Sequence, residues 1–189
     1  ADTSDVLHGV TVADPYRWLE NDVRNSEGVA AWVKSQQDVT NAYLKDIPGK
    51  AQLKASMAKM FDYERFGVPR RAGNRYFYMR NDGLQNQSVL YVRDGLTGEG
   101  RPLIDPNAWA KDGATALAEW SPSKDGNMLA YSIQDGGSDW RTVRVMDVAT
   151  GKDMTDSIEW VKFSGIEWVG NEGIIYSRVP APDSTQEFQ

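Results

Sequence analysis

The sequence predicts a mixed fold, an amino-terminal helical arm followed by the first blades of a β-propeller. Three observations carry that prediction. The spacing of apolar residues switches near Tyr63 from three-and-four to strict alternation. The phrase VLYVRDGLTGE (89–99) returns as VRVMDVATGK (143–152), and its framework recurs at blade-like intervals. Seven tryptophans and eight tyrosines in 189 residues suit strands, whose pleated surface packs aromatic rings well.

The helical part comes first. After the turn at Pro15, RNSEGVAAWVKSQQDVTNAYLKDIPGK (24–50) sets Val29, Trp32, Val33, Gln36, Val39, Tyr43 and Ile47 on one stripe. Ser26 is placed to cap the start, and Pro48-Gly49 ends the helix. A second helix is expected from about Lys50 to Phe61, with Leu53, Met57, Met60 and Phe61 facing one way. Two helices cannot bury two apolar stripes by themselves, so this segment needs a larger body to pack on.

The strands follow: GNRYFYMRND, SVLYVRD, NMLAYSIQDGG, RTVRVMDVATGK and GIIYSRV, in that order. Turns at Asn81-Asp82-Gly83, Asp94-Gly95, Asp125-Gly126 and Asp135-Gly136 separate them, because Asn and Asp tolerate left-handed backbone and Gly adopts it freely. Tyr78 and Asp94 recur as Tyr131 and Asp147, 53 residues on, and Tyr131 recurs as Tyr176 after 45. ALAEWSPSKDGNMLAYS and GIEWVGNEGIIYSR share a Glu-Trp, then a polar turn containing Gly, then a strand ending near Tyr. A unit of this length with about four antiparallel strands is a propeller blade. The chain holds two such units and the beginning of a third, and a blade buries its faces only against neighbouring blades.

Composition narrows the function classes. A net charge of −6 and a pI near 4.9 give no electrostatic reason to bind nucleic acid, so no such partner is expected. Arg65, Arg70, Arg71, Arg75 and Arg80 form the one local basic excess, read as a solvated hairpin loop. No apolar run is long enough to span a bilayer, so no membrane partner is expected. The absence of cysteine excludes disulfides, thiolate zinc sites and a Cys nucleophile. With one histidine and no EF-hand-like acidic spacing, neither a metal nor another cofactor is expected.

A catalytic centre is not visible. No serine sits in a G-x-S-x-G turn; Ser138 of GGSDW comes nearest but falls in a loop between strands. His8 precedes every candidate serine and aspartate except Ser4, Asp2 and Asp5, and reads as a surface or packing residue. No P-loop or dinucleotide-binding glycine pattern occurs, and no carboxylate pair is singled out by spacing.

Four stretches nevertheless fit together. VADPYRWLEN, NDGLQNQSVLYVRD, DGGSDWRTVRVMDV and EWVKFSGIEWVGN resemble, in that order, the amino-terminal portion of the prolyl oligopeptidase family, over residues 7 to about 180. The resemblance implies a two-domain serine peptidase that cleaves short peptides on the carboxyl side of proline. In that family a seven-bladed propeller is inserted into an α/β-hydrolase domain. Residues 1–62 would be the helical arm of the hydrolase domain, and 63–189 blades one, two and the start of three. The remaining blades and the Ser, Asp and His of the triad would lie beyond Gln189. The implied partners are short proline-containing peptides and the remainder of the same polypeptide, in a monomeric enzyme.

Two substrate-binding residues follow from the resemblance. Phe163 of VKFS would pack near the third residue upstream of the cut, whereas the residues alone make it a core aromatic of the blade. Asp139 of GSDW would put negative charge near the cavity, although a turn-capping role is equally open to it. One departure stands out: Asn21 replaces the carboxylate that commonly ends the DPYxWLE stretch, so an ion pair there is lost. The Pro-rich tail VPAPDSTQEFQ reads as a loop between strands, which makes the chain look cut, and the Ala1-Asp2 start suits a matured chain exported to the periplasm, with the cytoplasm as alternative. The competing functions are a non-catalytic propeller that binds peptides or proteins, and a carboxylate-based glycosidase.

Overall fold

The structure, a computed structural model, describes residues 3–111 and 113–180. The tail from residue 181 on, read above as a loop, lies outside the described residues. The chain divides into two compact units, Ala1–Met57 and Ala58–Gln189.

The first unit opens with a feature the period analysis passes over, a hairpin of β1 (Ser4–Leu7) and β2 (Val10–Ala13). Its two-residue turn is His8-Gly9, with φ of 52° and 82°; two successive left-handed residues match the twist of the strands they join. His8 is exposed at that turn. The VADPYRWLEN phrase is tied together by Arg17, which donates to Asp14 at 2.6 Å and also to Asp5. The Arg17 hydrogen bond holds the Asp14 carboxyl below the usual carboxylate range. The Asn21 amide donates to the Trp18 carbonyl at 2.9 Å.

Helix α1 (Glu27–Lys45) starts at Ser26, whose hydroxyl accepts from the Val29 amide at 3.4 Å. Gly49, at φ 80°, makes the turn into α2 (Lys50–Phe61). Only Val29 of the two helices is buried. Trp32 packs edge-on against Trp18 at 6.4 Å yet stays 42% exposed, and Val39, Tyr43, Leu53, Met57 and Met60 are exposed as well. The apolar stripes foreseen from the sequence are present, and they are left largely uncovered.

In the second unit β5 (Arg75–Asn81) is flanked on one edge by β3 (Arg65–Phe66) and β4 (Arg70–Ala72), on the other by β6 (Val89–Asp94), then β7 (Arg101–Ile104). The next sheet runs β8 (Ala116–Pro122), β9 (Met128–Gln134), β10 (Arg141–Asp147), β11 (Lys152–Val161) in chain order, all antiparallel. Strands β12 (Glu167–Val169) and β13 (Gly173–Ile175) form a separate pair. The echo in the sequence is a structural one. Arg75 pairs with Asp94 and Tyr78 with Tyr91; Met128 pairs with Asp147 and Tyr131 with Arg144. Tyr78 and Tyr131, and Asp94 and Asp147, therefore hold the same places in consecutive blades.

The second blade is packed on both faces. Along β9, Leu129 and Tyr131 point toward the first blade's Phe77, Leu90, Val92 and Ile104, while Ala130 joins Val143, Val161, Ile166 and Trp168 on the opposite side. The turns stack too. The Gly73 amide donates to the Lys124 carbonyl at 3.0 Å, and Arg75 donates to the Gly126 carbonyl at 2.8 Å. One blade on, the Asp125 amide donates to Asn171 Oδ1 at 2.9 Å. The basic excess is not the loop that the sequence suggested. Its arginines lie on β3, β4 and β5, where Arg80 donates to Glu64 at 2.7 Å and Arg65 to Asn81 at 3.1 Å. Arg65, Arg71, Arg75 and Arg80 bond with neighbouring acids, amides and carbonyls.

Stacked turns leave no room for a side chain. A Cβ on Gly73 (φ 56°) would collide with the Asp125 carbonyl, whereas one on Gly95 (φ 73°) meets nothing. Gly73→Ala should therefore destabilise the propeller unit by about 2–4 kcal/mol, against about 1–2 for the left-handed backbone alone in Gly95→Ala. Urea unfolding of the two variants in parallel checks this; equal losses would remove the stacking argument. Asp125 also caps its turn, accepting from the Asn127 amide at 3.0 Å and the Ser123 hydroxyl at 2.7 Å, which hold its carboxyl low. Since its folded pKa lies below the unfolded value of about 3.9, its contribution is complete above that pH and is lost as pH falls through the folded value. Asp125→Asn should flatten that acid limb in a stability-versus-pH series.

Candidate functional site

The end of the second blade where β9 gives way to β10, and β11 to β12, gathers both residues singled out from the sequence. Arg141 opposite Val161 in the β10–β11 ladder sets the 135–140 loop beside the 162–166 loop. Between Val143–Ile158 and Arg141–Val161 the register slips by one residue, a β-bulge on β11. Trp160 occupies it at φ 63°, and Phe163 follows at φ 52°. Left-handed backbone in two bulky aromatic residues costs about 1–3 kcal/mol each. Such a conformation persists only when the surroundings hold it.

What holds it is visible. Trp160 meets Trp140 edge-to-face, with centroids 5.7 Å apart. The Trp140 amide donates to the Ser138 hydroxyl at 3.2 Å, so Ser138 shapes the GSDW turn. Ser164, buried, accepts from the Ser177 amide at 2.7 Å and donates to the Gly165 carbonyl at 2.8 Å, fixing the far side of the second loop. Lys162 lies between the loops. Its ammonium is 3.5 Å from Asp139 and 5.0 and 5.2 Å from the Trp140 and Phe163 ring centroids. Alongside, Arg141 faces Glu119 at 3.8 Å, a second ion pair at the same end of the blade.

The structure thus brings Phe163 and Asp139 into one cluster. Phe163 is 76% exposed, so it is not the blade-core aromatic that its residue type and strand context suggest on their own. The left-handed turn is the reason: it lifts the ring out of the alternating register that would have buried it. Asp139 pairs with Lys162 across the two loops, and the turn is capped by Ser138 instead. Lys162, Trp140 and Trp160 were not singled out from the sequence. The signal was present, since GSDW and EWVKFS each carry a charge of opposite sign beside an aromatic, but only contact in space makes that pairing meaningful.

An exposed ring on a charge-neutralised base is suited to holding an apolar side chain, not to breaking a bond. Among the described residues no group of three or more His, Asp or Glu could hold a metal ion, and no helix is long and apolar enough to cross a membrane. A cleft of about 410 Å³ opens between the first two blades, lined in part by Leu103, Trp109, Tyr131, Arg144 and Asp153. Its polar groups satisfy one another: the Tyr131 hydroxyl lies 2.8 and 2.9 Å from the two Asp153 oxygens, and Arg144 lies 3.4 Å from the same carboxylate. Burial and that carboxylate push the Tyr131 hydroxyl up.

Known proteins match this chain along nearly its whole length. The prolyl endopeptidase of Elizabethkingia meningoseptica is 41% identical over 179 residues, covering 95% of this chain and 25% of that protein. The prolyl endopeptidase of Dictyostelium discoideum is 28% identical over 219 residues, covering 94% of this chain and 29% of that protein. A solved structure from a mechanistic analysis of two prolyl endopeptidases superposes with a TM-score of 0.62 at 50% identity, covering 96% of this chain and 27% of that one. Prolyl oligopeptidase B from Galerina marginata, bound to a 35mer hydrolysis and macrocyclization substrate, gives 0.76 at 27% identity, covering 100% and 29%. The chain spans about a quarter of the length of the curated relatives it matches. Residues 1–188 match the family described as prolyl oligopeptidase, N-terminal beta-propeller domain, and the chain belongs to that family.

Proposed function

We propose that this chain is the amino-terminal part of a serine peptidase that cleaves short peptides on the carboxyl side of proline, its propeller restricting access to a buried Ser-His-Asp site. The observation that carries the reading is the 41% identity to a prolyl endopeptidase across 95% of the chain. The triad belongs to the rest of the polypeptide, which completes a seven-bladed propeller and an α/β-hydrolase domain. Residues 1–62 are the arm of that hydrolase domain. The uncovered stripes of α1 and α2 support this assignment, because so much exposed apolar surface marks an interaction site. The enzyme acts as a monomer, in the periplasm or the cytoplasm.

Phe163 is the apolar contact for the third residue upstream of the cut, and Asp139, paired with Lys162, is the acidic substrate-binding residue beside it. A bulky ring held outward on strained backbone is what a substrate-facing role requires.

The direct test is hydrolysis by the full-length protein of a fluorogenic peptide with proline before the cut, against the same peptide with alanine there. Cleavage of the first alone is expected; equal rates, or none, would sink the reading. Phe163→Ala should raise KM by up to about tenfold for peptides long enough to reach it, and leave dipeptide substrates nearly unchanged. Trp32→Ala should lower the stability of the full-length protein by about 3–5 kcal/mol if docking buries that ring; an unchanged melting temperature would count against the arm assignment.

A further inference from the structure

Lys162 has a solvation problem that its neighbours solve. Its side chain is only 15% exposed, and its ammonium contacts one carboxylate and two aromatic faces at once. Two rings and a carboxylate around an ammonium form a cation-recognition cage. Here the cage is occupied from within the chain, by the residue immediately before Phe163.

We propose that Lys162 is a positioning and specificity-determining residue: its ammonium fills a cage made by Asp139, Trp140 and Phe163, orienting the Phe163 ring and keeping the subsite blind to substrate charge. The assignment rests on the peptidase reading given above. Three consequences follow from the geometry. Phe163 is the exposed wall of the cage, and the cation beneath its face resists rotation of the ring toward solvent. Asp139 is 48% exposed, so with Lys162 in place its charge is neutralised locally, and without Lys162 it presents a bare carboxylate to any bound peptide. Arg141, on the same strand ends, pairs with Glu119, whereas Asp139 pairs with Lys162. Removing the ammonium therefore converts a neutral apolar subsite into one that favours cations.

The substitution that isolates the charge is Lys162→Met, which keeps an unbranched apolar stem. In the full-length protein, paired peptides differing only by lysine or norleucine at the third position upstream of the cut should be cleaved with similar kcat/KM by the wild type. Lys162→Met should favour the lysine peptide by roughly fivefold or more, about 1 kcal/mol at RT of about 0.59 kcal/mol. Lys162→Arg should keep the wild-type pattern, and Lys162→Met combined with Asp139→Asn should abolish the new preference. A merely structural lysine would lower activity on both peptides without separating them, and that result overturns the proposal.

A substrate-free measurement keeps the two readings apart. The ε-methylene protons of Lys162, held over two ring faces, should resonate upfield of those of exposed lysines. Asp139→Asn should return them toward the exposed position. Unshifted signals overturn the cage whatever the protein does to peptides; shifted signals in a protein that cleaves no prolyl peptide uphold the cage and sink the peptidase reading instead.

Discussion

Blade-on-blade stacking is the constraint on which the propeller unit depends. A four-stranded antiparallel sheet has two apolar faces and no means of covering either. In the second blade both are covered, one by Phe77, Leu90, Val92 and Ile104, the other by Ile166 and Trp168. The strands can therefore be apolar on both sides, and β9 runs buried from Leu129 to Ser132. The stacking extends to the turns, where Gly73 touches the 124–126 turn and Asp125 reaches Asn171. Backbone polar groups that would otherwise be stranded at the blade ends are satisfied by the next repeat.

The same stacking leaves the opposite ends of the strands free to vary. Loops 135–140 and 162–166 leave a rigid pair of strands, and rigidity there lets them hold a conformation that a flexible loop would relax. Trp160 and Phe163 keep left-handed backbone because the bulge, the Trp140–Trp160 contact and the Lys162 ammonium hold them from three directions. An outward-facing phenylalanine in this position is a consequence of the scaffold, and the scaffold's stability offsets the local strain.

The helical unit follows a different logic. Its caps and its Arg17 ion pairs are local, and they form within the segment. Its apolar stripes are not satisfied by local partners: almost every large apolar residue of α1 and α2 is exposed. The proposed docking of this segment rests on those exposed residues.

Local chemistry explains what was legible from the residues alone. The period of the apolar residues, the Ser26 cap, the Asn/Asp-Gly turns and the repeated Tyr and Asp positions all depend on contacts within a few residues or on a spacing that copies itself. They placed α1, α2, β5, β6, β9 and β10. Periodicity does not reach the β1–β2 hairpin because four-residue strands carry too little of it, and β3 and β4 are shorter still. Phe163 and Asp139 were legible only through resemblance to a family. That Phe163 faces out, that Asp139 meets Lys162, and that two tryptophans brace them required the tertiary structure. Residues about twenty apart in the chain become neighbours only when β10 and β11 pair, and the bulge that holds Trp160 exists only in that pairing.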